Sequence, residues 1–180
     1  ALLNINIHLK NNDLSLMEEL KHYFGLENVP HCIEIYDNSH LQGVAKVGAM
    51  VCFKDGKWEK KHYRKFHLQG KSDYEQMKEV LIRRTKDFES LSPPDLWLID
   101  GGKALLDLAN NIIKSTGANV DVLAISKEKI DFKAQRSKGS ARDKIHSKKG
   151  EFLLKTDDKK LQFLQKLRDD ATAATATNLI

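Results

Sequence analysis

Two short apolar runs, Cys-Ile-Glu-Ile-Tyr-Asp at 32–37 and Leu-Trp-Leu-Ile-Asp at 96–100, each end in an aspartate. A strand alternates faces at every residue, so Ile33, Ile35 and Asp37 share one face, as do Leu96, Leu98 and Asp100. Burying a carboxylate on such a face costs several kcal/mol unless it is paired or holds a metal. Alone, Asp37 reads as a turn residue before Gly43. Two such strand ends point instead to a shared divalent cation. For this to hold, the chain must bring both strands side by side.

The order of elements provides for that. Leu16, Leu20 and Tyr23/Phe24 are spaced helically and Gly25 supplies a stop, which predicts a lead-in helix within 1–30. The 32–37 strand follows, then a turn at 38–43 and a second strand at 44–53 with Val47, Ala49, Val51 and Phe53 on one face. Asp55-Gly56 predicts a tight hairpin into a basic third strand at 58–68. Ser72 with Glu75 forms a capping box for a helix over 73–89, with Tyr74, Met77, Val80/Leu81 and Phe88 as its apolar stripe. Ser92-Pro93-Pro94 ends it, and a strand at 95–100, a helix at 103–116 and a strand at 120–125 follow. Helical crossovers make the later strand pairs parallel. A Lys/Gly/Ser-rich loop is expected over 127–150, then a last helix from about 157/158 with Leu161, Phe163/Leu164 and Leu167 buried.

An antiparallel three-strand meander followed by alternating helices and strands is the order of a ribonuclease-H-like fold. The expectation is a single α/β domain whose mixed five-stranded sheet is flanked by helices, with its first and fourth strands adjacent. Asp37 and Asp100 then approach each other where strand order reverses, a common ligand position in α/β sheets.

A chain of 180 residues suits one domain and needs no disulfides to hold its core. Its two cysteines, Cys32 and Cys52, lie in strand-like runs without zinc spacing, which predicts reduced thiols and a cytoplasmic setting. Neither a signal peptide nor an apolar run of membrane-spanning length is legible. Lys and Arg number 30 against 25 Asp and Glu, a net charge of +5. Two segments carry that excess: 127–149 has nine basic and three acidic residues, and 57–71 has six and one. Such runs are candidate phosphate contacts, which give affinity without reading sequence.

Four ordered motifs carry a resemblance that spans about 14–171. They are Asp-Asn-Ser-His-Leu-Gln-Gly at 37–43, Ser-Asp-Tyr-Glu-Gln-Met at 72–77, Leu-Ile-Asp-Gly-Gly-Lys at 98–103 and Leu-Gln-Lys-Leu-Arg-Asp-Asp-Ala at 164–171. Together they resemble the C-terminal endonuclease domain of the UvrC family, the nuclease of bacterial nucleotide excision repair. The resemblance implies incision of damaged double-stranded DNA on the 5′ side of a lesion. It implies two aspartates and a histidine around Mg²⁺ or Mn²⁺, with UvrB and the UvrABC system as partners. Asp37 and Asp100 match the metal-binding aspartates, and Asp73 matches a third, supporting carboxylate. The histidine position holds Thr172, followed by an uncharged Ala/Thr tail over 171–180 that reads as foreign to a native sequence. Ala104 stands where the family usually has Gly, and the family's GIY-YIG and helix-hairpin-helix modules are not in this sequence.

Hard carboxylate ligands suit Mg²⁺ or Mn²⁺ rather than zinc. A missing imidazole removes a proton carrier worth roughly a hundredfold to ten-thousandfold, so impaired cleavage is expected. Lys103, Lys61, Arg64, Lys65, Arg136, Lys138 and Arg142 are the DNA-binding candidates. Lys60, Lys127, Lys133 and Lys144 belong to the same basic segments. Gly101-Gly102-Lys103 lacks the spacing of a nucleotide-binding loop, and His40 is either a turn residue or a support to the site. Trp58 and Trp97 are expected to pack rather than stack on bases. Competing readings are a catalytically silent ribonuclease-H-like scaffold that binds nucleic acid or protein, and a hydrolase of RNA in hybrids.

Overall fold

The computed structural model describes residues 14–37, 47–128 and 142–176, without the side chains of 175 and 176. The helix α1 covers 14–24. The strands are β1 (Cys32–Asp37), β2 (Val47–Lys54), β3 (Lys57–Trp58), β4 (Arg64–His67), β5 (Leu96–Asp100), β6 (Asp121–Glu128), β7 (Arg142–Ser147) and β8 (Gly150–Phe152). The remaining helices are α2 (Asp73–Lys86), α3 (Lys103–Thr116) and α4 (Lys159–Ala176). Strands run in the order β3-β2-β1-β5-β6-β7-β8, and β4 also pairs with β2. Pairs β1/β5 and β5/β6 are parallel, and the others are antiparallel.

The sheet separates two cores. On one face Ile33, Ile35, Leu96, Leu98, Leu123, Ile125 and Ile145 meet Leu20 and Phe24 of α1 and Leu161, Leu164 and Leu167 of α4. The opposite face carries Tyr36, Met50, Trp97, Ile99, Val122 and Ala124 against Met77, Val80 and Leu81 of α2 and Leu106, Ala109 and Ile113 of α3. Strands β1 and β5 are therefore buried on both sides, which is why their sequences are almost continuously apolar. Their one internal charge is Glu34. It is 2% exposed and accepts hydrogen bonds from Tyr36 Oη at 2.7 Å, Trp97 Nε1 at 3.1 Å, and Arg84 Nε and Nη2 at 2.9 and 2.8 Å. Arg84 also donates to the carbonyls of Leu91 and Ser92, so one buried guanidinium fastens α2 and its exit loop to the central strands.

Local chemistry sets the boundaries. Ser72 Oγ accepts from the Glu75 amide at 3.1 Å, the cap that the sequence pattern predicts. Asp55 and Gly56 both have positive φ, 51° and 79°, as a tight hairpin requires. Gly117 takes φ 73° and closes α3.

Several expectations are corrected. The sheet has eight strands rather than five. The basic third strand at 58–68 is two short strands parted by a 3-10 turn at Lys60–His62, because the Glu59 amide turns back to the Cys52 carbonyl at 2.8 Å. The expected 127–150 loop is in part regular structure: β6 runs on to Glu128, and β7 and β8 form a hairpin on it, with Ile145 fully buried. Tyr74 lies 46% exposed instead of in the stripe of α2, whose inward positions are Gln76, Met77, Val80, Leu81 and Arg84. The turn at 38–43 with His40, the segment 129–141 with Lys133, Arg136 and Lys138, and residues 177–180 lie outside the described residues. Among the described residues no helix is long and apolar enough to cross a membrane.

Candidate active site at the ends of β1 and β5

Register brings the two aspartates together. In the parallel β1/β5 ladder Ile35 pairs with Leu98 and Tyr36 with Ile99, so the next step sets Asp37 beside Asp100 on the α4 face. Neighbouring strands lie about 4.8 Å apart. Asp37 is 4% exposed, whereas Asp100 opens to solvent. Partial burial, then the charge of Asp37, holds the Asp100 carboxyl above its usual range. Arg168 and Lys127 pull the other way, and Asp143 adds to the rise.

Asp100 borders a hollow of about 690 Å³ with Gly101, Ser126, Lys127, Arg168, Asp169, Thr172 and Ala173. Its far wall is α4. Arg168 donates from Nη1 to Asp143 Oδ1 at 2.8 Å and from Nε to Asp169 Oδ1 at 3.0 Å, and Gln165 holds the other Asp143 oxygen at 2.8 Å. Burial alone would raise the Asp143 carboxyl, but the hydrogen bonds from Arg168 and Gln165 outweigh it and keep its pKa low. Thr172 lies one helical turn past Arg168, and its hydroxyl donates back to the Arg168 carbonyl at 3.1 Å.

On the other face of the sheet, beside α3, Ser126 Oγ lies 2.8 Å from His146 Nε2. The His146 side chain is 7% exposed, with Nδ1 unbonded at 3.8 Å from Glu151 Oε1. Burial lowers the pKa of the ring, opposed by Glu151.

The other candidates scatter. Asp73 begins α2, in the layer on the opposite face, and is exposed. Among the described residues no three His, Cys, Asp or Glu side chains gather closely enough to hold a metal ion. Lys103 begins α3 directly after the Asp100 strand and reaches Asp107 at 2.7 Å. Lys61 is exposed and 3.7 Å from Glu59, Lys65 is exposed on β4, and Arg64 is ion-paired with Asp87 while lying over the Phe66 ring. Arg142 donates to the Leu154 carbonyl at 3.2 Å. Trp97 is fully buried, and Trp58 packs edge-on against Phe53 and Tyr63. Sequence reasoning missed Arg168, Asp143 and the Ser126–His146 pair; the signal for Arg168 was its place four residues before position 172.

Residues 21–174 match the family described as the UvrC RNAse H endonuclease domain, which defines the class as a ribonuclease-H-type endonuclease domain. UvrABC system protein C of Campylobacter jejuni subsp. jejuni serotype O:6 is 69% identical over 171 residues, covering 95% of this chain. The protein of that name from Nautilia profundicola is 55% identical over 169 residues and 87% of the chain, and that from Helicobacter pylori 49% over 161 residues and 89%. The chain belongs to the UvrC family. It spans 28% of the length of the Campylobacter and Nautilia proteins and 27% of the Helicobacter one. Among solved structures, human ENDOV shares 9% identity over 69% of this chain and 60% of its own, with a TM-score of 0.44. Ciona intestinalis endonuclease V in complex with inosine-containing DNA shares 16% over 73% and 62%, with a TM-score of 0.42.

Proposed function

We propose that this chain is the metal-dependent domain that cuts a damaged DNA strand on the 5′ side of a lesion, within nucleotide excision repair and in partnership with UvrB of the UvrABC system. One observation supports it above all: the β1/β5 register sets Asp37 and Asp100 side by side at the rim of an open hollow.

The donor set fits a hard cation. Mg²⁺ is commonly bound through one or two carboxylates, with water and substrate phosphate completing its shell. Asp37 and Asp100 would hold such an ion, which neutralises phosphoryl oxygens and activates water when bound. Around them the chain supplies the rest. Lys127, exposed in the same hollow, offsets the charge of an incoming phosphodiester, and Lys103 and Lys65, exposed outside that hollow, are further candidate phosphate contacts. Position 172 faces the hollow from α4, where a proton carrier belongs. A threonine hydroxyl there neither takes nor gives a proton at neutral pH, so cleavage is severely impaired in this chain while metal binding persists.

The test is a plasmid-nicking assay in Mg²⁺ or Mn²⁺. Thr172→His is expected to raise the rate by roughly a hundredfold to ten-thousandfold, and Asp37→Asn or Asp100→Asn to abolish that gain. No nicking by Thr172→His with either metal would favour the silent scaffold instead. Faster cleavage of an RNA–DNA hybrid than of DNA would favour the hybrid-directed hydrolase.

A further inference from the structure

The geometry points to Arg168 as a phosphate-binding residue of the site, donating from Nη2 to a non-bridging oxygen of the DNA strand next to Asp100. This assignment rests on the DNA-cutting reading and adds to it a substrate contact that neither basic segment supplies.

Three observations carry it. First, Arg168 is a wall of the Asp100 hollow, together with Lys127 and Thr172, although its side chain is only 12% exposed. Second, its guanidinium is fixed at two nitrogens: Nη1 is held by the part-buried Asp143 at 2.8 Å and Nε by the exposed Asp169 at 3.0 Å, while Gln165 pins Asp143 from the same helix. Third, Nη2 has no hydrogen-bond acceptor among the described residues, and it is not sealed from solvent as the buried, unpaired His146 Nδ1 is. A guanidinium held at Nε and Nη1, with Nη2 left to donate, is preorganised to meet a phosphate oxygen by a charge-assisted hydrogen bond. A lysine cannot reproduce that planar fork. The hollow also needs positive charge. Asp100 and Asp169 line it, and a phosphodiester entering beside them meets repulsion that only Arg168 and Lys127 offset among its lining side chains.

Gln165→Leu would disturb Asp143, so it serves as a test of anchoring, and Arg168→Gln serves as the direct test. Binding of this chain to a short DNA duplex is followed by fluorescence anisotropy in Mg²⁺ across a range of salt, with folding checked by circular dichroism. Arg168→Gln is expected to weaken binding about tenfold, as loss of a charge-assisted contact does, and to reduce the log–log salt slope by about 0.9. Arg168→Lys keeps the slope and loses most of the affinity. Lys114→Gln, at the far end of α3, serves as a charge-matched control.

Single methylphosphonate substitutions along each strand then locate the contact. One position weakens binding of the unaltered chain but not of Arg168→Gln. A folded Arg168→Gln protein with unchanged affinity and slope, or equal sensitivity at every methylphosphonate position in both proteins, overturns the assignment while leaving the nuclease reading intact. Failure of the unaltered chain to bind DNA at all removes both. Should Arg168→Gln not fold, Arg168→Lys and the methylphosphonate scan of the unaltered chain decide: with no single sensitive position, or with Arg168→Lys binding as tightly as arginine, the assignment falls.

Discussion

Removing the charge of Asp100 is expected to make this protein more stable while emptying it of metal-dependent behaviour. With strand axes about 5 Å apart, two unit charges repel by about 0.8 kcal/mol in water and about 3 kcal/mol at an effective dielectric of 20. Asp100 is exposed and Arg168 and Lys127 offset part of the repulsion, so the lower figure governs. Asp100→Asn should therefore gain about 1 kcal/mol at neutral pH in metal-free buffer. The sign with pH follows from the raised carboxyl. Between its ordinary pKa and the raised one, the folded state binds more protons than the unfolded chain, so stability falls as pH rises through that interval. The advantage of the variant should accordingly be full above the interval and vanish below it. Urea denaturation, read as a shift of midpoint at constant slope, measures this. Added Mn²⁺ at ten times its dissociation constant should stabilise the unaltered chain by about 1.4 kcal/mol and the variant far less. A variant destabilised by 1 kcal/mol or more without metal, or an equal response of both proteins to Mn²⁺, would show that the two aspartates do not confront each other as described.

Other outcomes follow from the same structure. Arg84→Met leaves the Glu34 carboxylate buried without its partner and should cost about 3 to 5 kcal/mol in urea denaturation; pairing it with Glu34→Leu should recover much of that loss. Burial lowers the His146 pKa, so its contribution to stability is full above the ordinary histidine value and is lost as pH falls through the folded one. His146→Asn should flatten that dependence below the ordinary histidine value, as followed by thermal melts at stepped pH. Gly117→Ala places a Cβ at φ 73° and should cost about 1 kcal/mol by denaturant midpoint, with no effect on metal response.

How much of this was legible depended on whether a residue's environment is set locally. The first and fifth strands and the helix at Lys103–Thr116 were readable because runs with both faces buried, and a helix with a regular apolar stripe, write their periodicity into sequence. The carboxylate pair was readable for the same reason, since alternation alone puts Asp37 and Asp100 on the faces of Ile35 and Leu98. The hairpin of β7 and β8 was hidden, because Arg142, Asp143 and Lys144 look like a solvated loop until β6 pairs with them and Arg168 meets Asp143. Glu34 and Arg84 were also illegible: 50 residues apart, each looks like an ordinary surface charge until the fold buries both. Arg168 stands within the 164–171 motif, but its role was not readable there, because its partner Asp143 comes from β7 and only the fold brings the two together.

The candidate centre draws on segments far apart in order of synthesis. Its acidic floor is complete once the strand at Leu96–Asp100 has folded onto Cys32–Asp37, yet the wall bearing Arg168 and position 172 belongs to the last of the described elements. A chain lacking that helix would leave an acidic edge beside an uncovered apolar sheet face, a surface prone to association with other chains.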